Sequence, residues 1–472
     1  MSFEKLELKL KDLYEFRKNY FLIHPIEDAS LKDERINSKV EEIVESIKDV
    51  KNDACKYCNE RGDEGLSRQQ LANLCWIEGK ARNASSAFDP LCQEMLTKAL
   101  KLNPELGNTT DIHVQLGECF WKKGDKDGAR LSFEQSLQSS QPDITKQGKR
   151  NLSILMRQVA AASNDQEHHM EYMEKSIKLV KEAIQIDFMD GVSWYILGNA
   201  HFSQFFVDGQ KPETLKQALQ AYKNAFKDEL SNYNCDLLYN YGILLKFQEK
   251  YEESLKSLQL ASKLDPVWSE AEEQATNMEL LLTQLTDLIA SRGGLKQKQF
   301  DKIVSKFDLS HLGPFSEPFK DPKTETLIGL KQCSLSELSK SEPASSKNLN
   351  QDKVCLLKVI GELGLNLQQP PYFCIASDSA ADICAVSVFN AASNFHLQRG
   401  DSLAIRQPFI TEHRFEIFSL KDQKSSEKER TEKSVNFCLI RVNSPVDLVV
   451  NGKKGNKGMQ VFASVGVEAK AS

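Results

Sequence analysis

Two stretches of this chain carry the same sparse pattern of small and large residues, and that pattern leaves few folds open. It repeats over about 34 residues: a large residue at position 4, Leu at 7, Gly at 8, an aromatic at 11, Ala at 20, an aromatic at 24, Ala at 27 and Pro at 32. Counted from Thr110, the match is Leu116, Gly117, Phe120, Ala129 and Phe133. Counted from Cys235, it is Leu238, Gly242, Leu258, Ala261 and Pro266. A third copy holds Trp194, Leu197 and Gly198 and, after an insertion, Ala218, Tyr222 and Ala225. Half-matches flank these at Leu96, Ala99 and Pro104 and at Ser176, Val180 and Ala183.

The spacing has a steric cause. The Gly and the first Ala sit where two antiparallel helices cross closely, and the larger apolar positions form stripes at helical spacing. The proline ends the second helix of each pair. Residues 60–285 therefore read as helical hairpins stacked into a tetratricopeptide solenoid. Upstream, 9–50 also reads as helix. Its aromatic stripe, Phe16, Tyr20 and Phe21, reads as packing for a capping element over residues 1–50.

The character changes at Ser291. Gly293 and Gly294 stop the last helix. Arg292, Lys296, Lys298, Lys302 and Lys306 follow against a single acid, Asp301, and then Pro314, Pro318 and Pro322. Residues 291–325 read as a basic hinge. Beyond it, 354–361, 372–376, 383–390, 400–406, 437–442 and 447–452 are short strand-like runs between turns. They point to a small β-barrel over 326–472. The charged stretch 421–433 reads as a solvated hairpin loop. The fold class is thus α + β multidomain: a capping segment (1–50), a solenoid (51–290), a hinge (291–325) and a barrel.

Chemistry is sparse. The chain has 472 residues and a net charge of −6, which excludes a globally basic nucleic-acid coat. No apolar run is long enough to cross a bilayer, and the N-terminus lacks the apolar core of a signal peptide. The 11 cysteines read as reduced thiols. A lone CxxC at Cys55 and Cys58 lacks the second ligand pair that a structural zinc site needs. His168 and His169 sit in a polar, acid-flanked stretch and read as solvated. No catalytic motif is present, so no enzyme and no cofactor or metal is expected. Solenoids offer concave surfaces that hold peptides.

The whole combination resembles the tetratricopeptide repeat protein 5 family, which joins such a solenoid to a C-terminal OB-fold. The likeness is carried by Tyr14, Phe16, Arg17, Tyr20, Phe21, His24 and 27–29, by 121–125, 193–199 and 311–314, and in the barrel by 384–386, Val388, Asn390, 400–402, Ala404, Ile405 and 450–453. It implies two activities. One is a ribosome-associated factor that reads the N-terminus of nascent tubulin and, with an mRNA-decay adaptor, triggers decay of tubulin mRNA. The other is a nuclear scaffold for transcription cofactors and an acetyltransferase in the damage response, with DNA or chromatin contact through the OB-fold. The protein would then be cytoplasmic and nuclear, with no membrane partner.

Site residues follow from register and resemblance together. Asp236 falls at position 2 of its repeat and Glu270 at position 2 of the following helix, so both carboxylates face the groove and suit a cation. Arg157, at position 12 of an earlier helix, offers a fork to a carboxylate. Asn240, at position 6, suits peptide backbone. The resemblance places these charges on a peptide that begins Met-Arg-Glu, and it places Lys296 and Lys298 on ribosomal RNA phosphate. The competing reading is single-stranded nucleic-acid binding by the barrel through Tyr372, Phe389, Phe395, Phe415 and Phe418 with Arg399, Arg406, Arg414, Lys453 and Lys454. A clamp for acidic C-terminal tails is a third, weakened by Asp236 where such a clamp needs Lys.

Overall fold

The structure, a computed structural model, describes residues 3–61, 66–162, 166–320, 325, 327–343, 345, 348–363, 371–420 and 430–461, with backbone alone over 55–61, 166–167, 319–320, 328, 418–420 and 430–432. The side chains of Cys55, Cys58 and Phe418, residues 421–429 and the stretch after 461 lie outside that description. The chain divides into two compact units: Met1–Leu244 with Ser257–Ala271, and Leu245–Lys256 with Glu272–Ser464. The division does not fall at residue 290. Most of the last long helix and the helical turn at 245–256 belong to the second unit.

The helices are α1 (Phe3–Lys18), α2 (Tyr20–Ile23), α3 (Lys32–Arg61), α4 (Arg68–Asn83), α5 (Pro90–Leu102), α6 (Leu106–Thr109), α7 (Ile112–Lys123), α8 (Lys126–Ser136), α9 (Pro142–Ala162), α10 (Gln166–Ile186), α11 (Gly191–Val207), α12 (Pro212–Ala225), α13 (Cys235–Phe247), α14 (Tyr251–Leu264), α15 (Ser269–Ala290) and α16 (Gln297–Val304). In the first unit α4 packs on α5, α7 on α8, α9 on α10 and α11 on α12. The repeat glycines explain the closeness. A Cβ on Gly117 would lie 2.3 Å from the Phe133 ring, and one on Gly198 would lie 2.4 Å from Tyr222. Starts are set by side-chain caps: Asp125 accepts from Gly128 N, Asp190 from Ser193 N, and Ser67 with Gln70 forms a capping box. The N-terminal stripe is packing: Tyr20 is fully buried, with Phe16 and Phe21 edge-on to it at 5.5 and 5.2 Å. Helix α3 runs past residue 50, where the sequence reading ends the capping segment.

The second unit is built on a sheet of β3 (Lys331–Gln332), β4 (Lys353–Glu362), β5 (Tyr372–Ser377), β6 (Ile383–Val388), β7 (Ser402–Arg406), β8 (Phe409–Leu420), β9 (Arg430–Val442), β10 (Leu448–Val450) and β11 (Lys453–Lys454); β1 (Phe319–Lys320) and β2 (Leu327–Ile328) pair by themselves. The order is β11-β10-β7-β4-β5-β6-β9-β8, with β3 beside β4. All neighbours are antiparallel except β3 with β4 and β6 with β9. Alternate residues from across this order share one core: Leu357 and Val359 of β4, Val386 and Val388 of β6, Ile410 of β8 and Ile440 of β9. A sheet whose distant strands bury the same face together is closed around that face. The stretch 331–341 spans the remaining gap, with Cys333 N bonding Val354 O at 3.0 Å and Ser341 N bonding Ile410 O at 2.8 Å.

Two sequence expectations need correction. Residues 291–325 are not a bare hinge. They include α16 and a 3-10 stretch, Leu309–Ser316, whose Leu312 and Phe315 pack on Val354, Leu356, Ala404 and Val449. Proline reads as a linker signal, yet Pro314 follows Gly313 at φ 52°, a kink that needs no helical hydrogen bond there. The stretch 421–433 is not all loop either. Arg430 to Lys433 belong to β9, paired opposite Ile417–Leu420 of β8.

Candidate functional site: a charged groove in the helical unit

The first unit holds a cleft of about 1250 Å³, walled by α1, α4, α7, α9 and α11 and reaching Asp236 at the start of α13. Arg157, Asn240 and Glu270 are not part of that wall. Arg157 projects from α9 and is 2% exposed, and its Nε, Nη1 and Nη2 have no hydrogen-bond partner among the described residues. Burial lowers its pKa, while Tyr222, Tyr195 and Asp236 act electrostatically in the opposite direction. The same burial raises both tyrosine pKa values.

Asp236 sits in the first turn of α13, where the helix N-terminus favours an anion. Asn240, one turn on, donates Nδ2 to the Asp236 carbonyl at 2.9 Å. Glu270 accepts from the Tyr239 hydroxyl at 2.9 Å, and the Tyr239 ring packs on Trp268 at 4.6 Å. The structure therefore brings Arg157 within electrostatic reach of Asp236, joins Asn240 to Asp236 through the helix, and anchors Glu270 on the side chain three residues after Asp236.

Sequence reasoning passed over another part of the cleft wall. There Asp111 binds Lys80 at 2.8 Å, Trp76 Nε1 at 3.2 Å and Gln115 Nε2 at 3.0 Å. The Tyr14 hydroxyl donates to Gln115 Oε1 at 3.1 Å. Glu118 accepts from Asn83 and Asn151, both at 3.1 Å, and burial raises its pKa. A signal was available. Counted from Thr110, Asp111 and Gln115 fall at positions 2 and 6, the positions that pick out Asp236 and Asn240 in the repeat from Cys235.

The comparisons decide the family. The model of the Tetratricopeptide repeat protein 5 OB fold domain matches residues 330–464, and the tetratricopeptide repeat model matches 110–143 and 236–267. Tetratricopeptide repeat protein 5 of Mus musculus is 33% identical over 464 residues, covering 98% of this chain and 96% of its own length. The Homo sapiens and Bos taurus proteins of that name are each 32% identical over 463 residues, with the same coverage. The chain belongs to the tetratricopeptide repeat protein 5 family. Its two repeat matches begin within one residue of the register counted from Thr110 and Cys235. As a member of this family with two such repeats, it is a protein-interaction adaptor.

In the second unit, which carries the family's OB-fold, Lys296 caps α16 and Lys298 lies in its first turn; both are exposed. Among the candidate stacking aromatics, those with described side chains are packed or half-buried. Tyr372 meets Phe395 at 5.3 Å, Phe389 lies beneath Arg441, and Phe415 is half-buried opposite Val435. Arg399 donates to Gly293 O at 3.1 Å, Arg406 lies over Phe315, and Arg414 pairs with Glu412 at 3.7 Å. OB-folds present their second and third strands to nucleic acid; here those are β5 and β6, buried on both faces apart from their first residues. Lys453 and Lys454 remain exposed. Among the described residues no His, Cys, Asp and Glu cluster fits a metal ion, and no helix is long and apolar enough to cross a membrane.

Proposed function

We propose that this chain is a non-catalytic peptide-binding adaptor that reads the Met-Arg-Glu start of nascent tubulin at the ribosome and, through an mRNA-decay adaptor, directs decay of tubulin mRNA. The observation that carries this reading is the guanidinium of Arg157, buried and without a hydrogen-bond partner among the described residues, within electrostatic reach of Asp236. A peptide with adjacent basic and acidic side chains answers both charges at once. The anchored carboxylate of Glu270 adds a second acid for the ligand's cation. Family membership supports the tubulin ligand and the cytoplasmic site of action. The nuclear role, as a scaffold for transcription cofactors and an acetyltransferase, rests on the family likeness alone.

Lys296 and Lys298 supply the ribosomal end, since exposed lysines give phosphate affinity without sequence reading. The test uses ribosomes that display tubulin N-termini. The parent protein co-sediments with them, and Lys296→Glu with Lys298→Glu abolishes co-sedimentation without changing the melting temperature. Unchanged co-sedimentation removes the ribosomal reading.

A further inference from the structure

The elements that wall the cleft of the first unit join in a circuit. The Tyr14 hydroxyl of α1 donates to Lys80 O of α4 at 3.0 Å. Trp76 Nε1 of α4 donates to Asp111, at the start of α7, at 3.2 Å. On α9, Asn151 donates to Glu118 of α7 at 3.1 Å, and Arg150 to Asp190, the cap of α11, at 3.0 Å. Gly191 opens α11 so close to the 3-10 turn Glu229–Tyr233 that a Cβ on it would lie 2.3 Å from Ser231 Oγ. The last joint returns to the N-terminal segment. The Tyr233 ring stacks on Phe21 of α2, with centroids 6.0 Å and planes 20° apart. Tyr14, Trp76, Arg150, Phe21 and Tyr233 all line the one cleft.

These joints are not alike. Hydrogen bonds, an ion pair or a tight helix contact hold the others. Between α2 and Glu229–Tyr233 the contact is that of the rings, and no hydrogen bond joins the two among the described residues. One aromatic pair is a small contact, so the circuit opens there most readily. Tyr233 is half-buried, and Asp236 of the cleft wall follows three residues later, so the joint adjoins the proposed cation site.

We infer that the groove is a ring gated by the Phe21–Tyr233 stack: it takes a peptide by a free end threaded through it, and admits a chain without a free end only when the stack parts. The inference rests on the peptide-adaptor reading and adds how the ligand enters. It makes a free chain end, rather than an internal segment of a folded protein, the class of ligand that gains ready access.

The experiment measures association rates of the full chain with two probes. One is a linear peptide that begins Met-Arg-Glu; the other is the same peptide closed head to tail through a Gly-Ser linker. The parent takes up the linear peptide about tenfold faster, the scale on which one aromatic pair holds a contact shut. Tyr233→Ala takes up the cyclic peptide as fast as the linear one. Equal rates in the parent overturn the inference. So does a variant that gains no rate for the cyclic peptide, which assigns its slow uptake to the missing terminal ammonium. Should Tyr233→Ala melt, Tyr233→Leu, which keeps an apolar contact without a ring face, replaces it with the same outcomes. A second readout needs no peptide. In α2, His24 N bonds Tyr20 O at 2.9 Å, and this amide exchanges its hydrogen about tenfold faster in Tyr233→Ala than in the parent. Unchanged exchange overturns the gate. Faster exchange in the variant, with a parent that binds neither peptide, keeps the gate and removes the adaptor's proposed ligand.

Discussion

The guanidinium of Arg441 lies 3.7 Å from the centroid of the Phe389 ring, and its Nη1 donates to Phe247 O at 2.6 Å. This stack seals a buried acid. Glu249 is 2% exposed, accepts from the Ser387 hydroxyl at 2.6 Å, and has Arg441 Nη1 at 3.9 Å. Burial raises the Glu249 pKa, and Arg441 opposes that rise. Arg441→Ala leaves the carboxylate without its cation and costs about 3–5 kcal/mol in urea denaturation of the full chain, as expected for breaking a buried pair. Adding Glu249→Gln recovers much of the loss. A single-variant loss below about 1 kcal/mol contradicts a paired role, because that is the range of exposed ion pairs.

Gly198 is a packing requirement. Gly198→Ala puts a methyl group 2.4 Å from Tyr222 Cδ1, so the ring must move and its hydroxyl leaves Asn199. The variant loses about 1–3 kcal/mol, the usual cost of overpacking. An unchanged thermal melt contradicts the tight helix crossing.

His413 gives the second unit an acid limit. It lies between the Tyr251 and Phe437 rings at 5.1 Å from each, with Nε2 2.9 Å from the Thr411 hydroxyl, and burial lowers its pKa to about 4. In the unfolded chain its pKa is about 6.5. Between these values the unfolded state binds the extra proton, so stability present above pH 6.5 is lost as the pH falls toward 4. The full effect is about 3 kcal/mol. His413→Asn flattens that part of the stability profile measured from pH 7 to 4. An equally steep profile in the variant assigns the loss to other groups.

The solenoid was legible because its rule is steric. Gly117 and Gly198 mark crossings that admit no larger residue, and such positions survive reading without coordinates. The strand β8 was not read. Past Ile410 its buried positions are Thr411, His413 and Ile417, and its exposed ones are Glu412, Arg414 and Glu416. The period of two is therefore present in burial but faint in hydrophobicity. The charges Arg157, Asp236 and Glu270 were named from register and family likeness. The Asn199 bond to Tyr222 was not, because it crosses to α12 and no single-helix register displays it.

The central claim is that Arg157, Asp236 and Glu270 bind one peptide. Calorimetric titration of the full chain with a Met-Arg-Glu peptide tests it most directly. The account predicts measurable binding by the parent, and for Arg157→Ala, Asp236→Lys and Glu270→Lys a loss of roughly 2–5 kcal/mol each, as for truncating or reversing one side of a buried charge pair. Binding by all three variants as tight as the parent's contradicts it.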